Sequence, residues 1–177
     1  MPLLNSPEVK LAVVGVSRDC FPIELVRTRL ARLANACEAS GRSVIVCKTI
    51  VENETGALAA LDELAAKGAN AAVVYLGNFG PEGPLAIFAQ RFCGPVMLCG
   101  ASEETKEDLI GGRGDAYCGM LNAAYNIGLR GVRVHIPHMP VGLPEDLVPK
   151  IEHFATVARI VIGVRDLKIF GFGPRPQ

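Results

Sequence analysis

The sequence predicts a three-layer α/β domain, with a flavodoxin-like (Rossmann-like) parallel sheet and helices on both faces. Apolar runs without alternation, of which Leu11–Val16 is the clearest, are typical of strands buried on both sides of a parallel sheet. Amphipathic helical stretches separate these runs, so strand and helix alternate along the chain. We therefore expect right-handed crossovers and the strand order 2-1-3-4-5, with the first strand in the centre.

The first helix follows Leu11–Val16 after a short polar loop. Apolar residues recur every three or four positions from Ile23, as in a helix that packs one face on a sheet. Pro22 suits its first turn, where a missing N–H costs nothing, and Gly41 is expected to end it. The side of this helix that faces solvent is predicted to carry three arginines: Arg27, Arg29 and Arg32.

The later elements continue the alternation. Four more strands are predicted to complete the sheet: Ser43–Thr49, Asn70–Leu76, Pro95–Cys99 and Val132–Ile136. Helices are predicted at Thr55–Lys67, Pro84–Phe92, Ala116–Leu129 and from Pro144 onward. Thr55 and Asp115 are candidate N-caps, and Gly68 is a candidate C′ residue.

The chain is predicted to form a single domain over residues 1–177. A last strand is expected at Leu167–Phe172, and residues 173–177, Gly-Pro-Arg-Pro-Gln, look like the start of a linker to a further domain. Lys plus Arg (18) balance Asp plus Glu (18), which argues against a nucleic-acid or anionic-membrane partner. Because 50% of the residues are hydrophobic and 20% charged, we expect part of the surface to be buried in a homo-oligomer.

Cysteine usage and the amino-terminal sequence indicate a cytoplasmic protein. The six cysteines are scattered and form no CxxC pair, as expected for reduced thiols. The start of the chain lacks the pattern of a signal peptide, and no apolar run reaches the length of a membrane span.

The polar chemistry is concentrated in three loops that the predicted topology brings to the carboxyl rim of the sheet. They are the stretches 17–21, 78–82 and 113–118. Each combines hydrogen-bonding groups with aromatic or carboxylate side chains, which suits either a polyhydroxylated ligand or a tight interface. Alternatively, Arg18 pairs with Asp19, Glu82 or Asp115, and the aromatic residues of the loops simply close the rim.

Other chemistries find weaker support in the sequence. No glycine loop matches a dinucleotide or P-loop motif. His135 and His138 flank a proline turn with no third ligand nearby, so no metal site is predicted within this chain. Cys118 lies at a loop-to-helix junction, where a thiolate can be stabilised, so a cysteine hydrolase is an alternative. A small buried side chain in the first turn of a helix is the interpretation we favour for it.

Four segments together resemble the L-fucose isomerase family, aldose–ketose isomerases that also accept D-arabinose, and more loosely the L-arabinose isomerases. The segments are SRDCFP (17–22), YLGNFGPEGP (75–84), GRGDAYCGML (112–121) and FGFGPRP (170–176). The resemblance covers nearly the whole chain and implies the amino-terminal, flavodoxin-like domain of a longer enzyme.

The resemblance also implies how such a domain works. The full enzyme would be a hexamer that holds a divalent metal, typically manganese, through ligands outside this chain. This domain would lie over a neighbouring subunit's active site and supply part of the wall around a deoxyhexose or pentose sugar, whereas alone it would be inactive. The residues expected to bind substrate are Arg18, Asp19, Phe21, Asn78, Phe79, Glu82, Arg113 and Tyr117. A sugar-binding module without catalysis is a further alternative.

Overall fold

The fold is organised around a parallel sheet whose strand order matches the prediction. The structure, a computed structural model, describes residues 6–106, 113–165 and 167–173. Its strands are β1 (Leu11–Val16), β2 (Ile45–Val46), β3 (Ala71–Leu76), β4 (Val96–Ala101) and β5 (Val141–Gly142). Every pairing is parallel, in the order β2-β1-β3-β4-β5. The flavodoxin-like α/β fold class is therefore confirmed.

Helices cover both faces of the sheet and make three layers. The described helices are α1 (Ile23–Ala39), α2 (Glu54–Ala66), α3 (Glu82–Arg91), α4 (Ala116–Leu129) and α5 (Pro144–Arg165). One apolar cluster joins α2, α3 and α4 to the side chains of Val14 and Val74, while the other joins α1 and α5 to Val13 and Val73. Neighbouring residues of β1 and β3 therefore serve opposite cores, which explains why these strands are apolar without alternation.

The helix ends agree with the predicted pattern, with one change of cap. Asn53, rather than Thr55, caps α2, because its side chain accepts a hydrogen bond of 2.9 Å from the backbone N–H of Gly56. Gly68 follows the helix with φ +69°, as expected of a C′ residue. Asp115 does precede α4, but its side chain makes no capping bond to the described residues.

The fifth strand was predicted too early in the chain. In the segment Val132–Ile136 the residue that pairs with the sheet is His135, which forms a single bridge to Met97 of β4. The ladder is then interrupted by Pro137, by Met139 at φ +53° and by the other proline of the turn. Prolines have no N–H to donate, and regular pairing resumes at β5, where Gly100 faces Val141.

The last predicted strand, Leu167–Phe172, is also wrong. Residues 167–173 form no strand, and Ile169, Phe170 and Phe172 are all largely exposed. Their β-propensity does not suffice, because a strand also needs a partner edge to supply hydrogen bonds. Of the proposed linker 173–177, residues 174–177 lie outside the described residues. Within the described part of the chain, no helix is long and apolar enough to cross a membrane.

Candidate functional site

The carboxyl rim of the sheet brings the loops after β1 and β3 into direct contact. Asn78 joins them, since its Oδ1 accepts the backbone N–H of Arg18 at 2.9 Å and that of Gly80 at 3.2 Å. Its Nδ2 donates to the hydroxyl of Ser17 at 2.9 Å. Both Asn78 and Ser17 are completely buried. The Asn78 amide therefore connects the two loops by hydrogen bonds. A contact between Asn78 and sugar stays a prediction.

Two arginines and two phenylalanines of the rim loops form a continuous stack. The guanidinium carbon of Arg18 lies 5.1 Å from the ring centroid of Phe79. The Phe79 ring is 5.9 Å from that of Phe21, and Arg113 in turn lies 5.0 Å from the Phe21 centroid. Both arginines are close enough for cation–π attraction. The stack thus unites residues from all three predicted loops.

Arg18 also forms an ion pair with Glu82, the first residue of α3. The same Nη1 atom donates to the carbonyl of Gly80 at 3.2 Å. Burial alone would raise the pKa of Glu82, but hydrogen bonds from its own backbone N–H and from the side chains of Arg18 and Asn122 lower it below its usual value. Both side chains of the pair remain about one-third exposed (32% each), so they stay accessible from the groove beside them.

A groove of about 420 Å³ opens next to this ion pair. Arg18, Asp19 and Glu82 line it, together with Pro81 of the predicted loop 78–82 and with residues at the start of α2 and α3 that were not predicted: Glu52, Asn53, Glu54, Gly83 and Pro84. The signal for the α2 residues was their position after the second predicted strand, in a loop that parallel topology also brings to the carboxyl rim of the sheet. The groove therefore presents carboxylate, amide and guanidinium groups to whatever enters it.

A buried ion pair lies beneath the third loop and was not predicted. Arg29 of α1 is 6% exposed, which corrects its expected place on the solvent side of that helix. Its Nη1 donates to the carbonyl of Gly77 at 2.7 Å and lies 3.5 Å from the carboxylate of Glu103. Glu103 accepts the backbone N–H of Asp115 at 2.8 Å.

Tyr117 and Cys118 lie in the first turn of α4, and both are exposed. The exposure of Cys118 corrects the expectation of a buried side chain. A hydrogen bond to Asp115 raises the pKa of the Cys118 thiol above its usual value, as do partial burial and the nearby carboxylates. His135 lies toward the opposite, amino end of β4, where it pairs with Met97. This environment opposes a thiolate nucleophile at Cys118.

The described residues do not fit a metal centre of their own. In residues 6–106, 113–165 and 167–173, no group of three or more His, Cys, Asp or Glu side chains is placed to hold a metal ion.

Fold and rim together define a class of protein: a flavodoxin-like α/β domain that presents polar and aromatic loops at the carboxyl ends of its strands. Residues 12–165 match the family model described as "Fucose/sulfoquinovose isomerase, N-terminal domain". The chain belongs to this family, which confirms the family resemblance; three of the four sequence segments lie within the matched residues, and the segment 170–176 lies beyond them. A search of curated proteins found no match. The chain is thus an isomerase-related domain.

Proposed function

We propose that this chain is the amino-terminal domain of an aldose–ketose isomerase and supplies part of its sugar-binding wall. The observation that carries the proposal is the stack Arg18–Phe79–Phe21–Arg113, which joins three loops beside an open groove. Aromatic faces and charged hydrogen-bond donors are what a polyhydroxylated ligand requires of a wall.

Arg18 is the strongest candidate for direct contact with sugar. Among the described residues, both hydrogen bonds of its guanidinium come from Nη1, so Nε and Nη2 have no protein acceptor there. A guanidinium held by Glu82 and by the Phe79 ring offers these N–H groups from a fixed position. The side chain is therefore pre-organised to donate to sugar hydroxyls.

The charge of the groove favours a neutral sugar, a deoxyhexose or a pentose. Four carboxylates line the groove, whereas Arg18 is the one lysine or arginine among its lining residues in the described part of the chain. The carboxylates are Asp19, Glu52, Glu54 and Glu82. An anionic sugar, such as a sulfonated one, would be repelled by them. Of the two sugars that the family description names, the groove suits fucose better.

In the proposed reaction, a hydrogen moves between C1 and C2 of the sugar through an enediol. Residues outside this chain would hold the manganese and supply the acid and the base. The role of this domain is to orient the sugar and exclude water. The Phe21 and Phe79 rings provide the apolar part of such a wall. The domain acts in a homo-oligomer, a hexamer, where it covers the active site of a neighbouring subunit.

The isolated chain should therefore fold but lack isomerase activity. We expect no ketose from L-fucose or D-arabinose when the purified 177 residues are assayed with manganese, while circular dichroism shows an α/β fold. Ketose formation by this chain alone would overturn the proposal, because its own residues would then have to supply acid and base. Tight L-fucose binding by the chain alone would instead favour a non-catalytic sugar-binding module.

A further inference from the structure

We propose that Arg29 and Glu103 are positioning residues that fix two loops of the rim relative to each other. The inference rests on the proposed function, since it concerns the loops that would form the sugar wall. Neither residue lines the groove or joins the aromatic stack. Their influence is exerted through backbone groups of the loops that carry Phe79 and Arg113.

Arg29 holds the loop that follows β3. Its side chain is 7% exposed, and Nη1 donates to the Gly77 carbonyl at 2.7 Å. Gly77 itself lies so close to α1 that a Cβ there would come within 2.8 Å of the backbone of Val26. Helix α1 thus fixes the start of the loop that carries Asn78 and Phe79.

Glu103 holds the segment that enters α4. Its Oε1 accepts the N–H of Asp115 at 2.8 Å and lies 3.5 Å from Nη1 of Arg29. Gly114 packs directly on this pair, since a Cβ at that position would come within 2.1 Å of Glu103 Oε1 and 2.6 Å of Arg29 Nη1. A residue larger than glycine would have to displace the ion pair.

The ion pair also stabilises an unfavourable backbone. Arg113 has φ +42° and Asp115 has φ +51°, values that residues other than glycine rarely adopt. Such a conformation persists where the surroundings over-determine it, and among the described residues the Glu103 hydrogen bond to Asp115 is a contact that contributes to this. Arg113 is thereby held over the ring of Phe21.

Amide hydrogen exchange of the 177-residue chain tests this inference through matched variants. Glu103→Ala removes the acceptor of the Asp115 N–H, and Glu104→Ala is its control. Glu104 is the next residue in the chain and forms an ion pair with Arg32, which lies on the exposed side of α1, the helix that also carries Arg29. We expect Glu103→Ala to speed exchange at Asp115 by roughly 10- to 100-fold, because a hydrogen bond to a charged group is lost. Amides of β3, such as Val73, should keep their wild-type rates in both variants.

A second pair of variants covers the other partner. Arg29→Met should speed exchange at Asp115 and at Gly80, whereas Arg32→Met should speed neither. If Asp115 exchanges at the wild-type rate in a folded Glu103→Ala or Arg29→Met chain, the positioning role is refuted. It is refuted as well if the Arg32 or Glu104 controls produce the same local change.

Kinetics of the longer isomerase separate this inference from the proposed function. Arg29→Met should raise the KM for L-fucose more than it lowers kcat, because the sugar wall is displaced while the reacting groups are intact. Should Arg18→Met leave the kinetics unchanged, the sugar-wall function fails. Hydrogen exchange would still decide whether Arg29 and Glu103 position the loops.

Discussion

At the scale of single residues, Glu63 shows how one carboxylate secures a very short edge strand. Its oxygens accept the backbone N–H groups of Lys48 and Thr49 at 2.8 and 3.1 Å, just after β2. Lys67 donates from the following turn at 2.6 Å, and the thiol of Cys47 also contacts the carboxylate. Although burial alone would raise the pKa of Glu63, these hydrogen bonds lower it to about 2.

Glu63→Gln should destabilise the protein in a pH-dependent way. A carboxyl whose pKa is lower in the folded state stabilises the fold above its unfolded pKa and loses that effect as pH falls toward the folded value. At pH 7 we expect a loss of about 1–2 kcal/mol in the free energy of unfolding, discounted for solvent screening. The difference from wild type should shrink between the ordinary value of 4.5 and about 2.

Urea unfolding at several pH values measures this difference, with Glu24→Gln as the control. Glu24 pairs with Arg27 on the exposed side of α1, so its loss should leave the pH profile unchanged. A constant gap between Glu63→Gln and wild type from pH 7 to pH 2 would contradict the role given to the carboxylate.

Residue identity alone did not reveal which polar side chains are buried. Arg29 stands three residues after Val26 and four before Leu33, on the face that α1 buries, and its burial depends on the carbonyl and carboxylate that long-range packing brings to it. Asn78 was predicted at the site, but its completely buried amide is used inside the loops. Partners distant in sequence supply the hydrogen bonds that allow such polar side chains to be buried, and residue type alone does not reveal these partners.

At the scale of elements, α4 contacts the rim through a glycine. A Cβ on Gly119 would come within 1.9 Å of the carbonyl oxygen of Phe79. The helix therefore packs against the backbone of the loop at a position that has no room for a side chain. Gly119→Ala should cost about 1–3 kcal/mol, since the backbone must shift. On the same helix, none of the described residues outside the helix backbone comes within 4 Å of the Cβ position of Gly128. Gly128→Ala should gain about 0.5–1 kcal/mol through helix propensity.

Thermal unfolding of the two alanine variants measures this contrast. Melting temperatures that fall equally in both variants would show that the close approach of Gly119 to the rim is unimportant.

Elements were predicted correctly where a strand is buried on both faces, and wrongly where a short strand is defined by its pairing with a distant partner strand. The runs at β1 and β3 are buried on both faces, and a continuous apolar run is typical of such strands. Between Val132 and Gly142, however, the chain pairs at His135, turns away at its prolines and pairs again at β5. Sequence patterns indicated a strand in this region, but the residue at which regular pairing begins depends on contacts with β4.

At the scale of the whole molecule, α4 carries an exposed apolar face. Tyr117, Leu121, Tyr125 and Leu129 follow one another every four residues, and each is at least 60% exposed. Such a stripe on a surface helix is typical of a protein interface. It begins at the rim with Tyr117, which is consistent with the proposed packing of this domain on a neighbouring subunit.

Leu121→Glu should therefore weaken self-association by roughly tenfold or more, as expected for a charge placed in an interface. Leu58→Glu, on α2 and also exposed, is the matched control and should have no effect. Sedimentation velocity over a range of concentrations reports the result. A wild-type chain that is monomeric at every concentration would contradict an interface on α4.

The position of the candidate site was predictable because parallel topology sends the ends of all strands to one edge. Loops that carry Arg18 and Phe79 had to meet once β1 and β3 were recognised as neighbours. The groove at the start of α2 was not predicted, although a strand was predicted at Ser43–Thr49 and Glu52 and Glu54 come shortly after it. The loop after that strand was not counted among the loops of the rim.

The most direct test of the sugar-wall proposal is kcat/KM for L-fucose in the isomerase that contains this domain, with Arg18 replaced. Arg18→Met removes charged hydrogen bonds to sugar and should lower kcat/KM by roughly 10- to 150-fold. Bound metal and melting temperature should stay at wild-type values, as should all three quantities in the control Arg27→Met. If Arg18→Met instead loses several degrees of melting temperature and keeps its kinetics, Arg18 is the structural partner of Glu82 and the proposed wall does not exist.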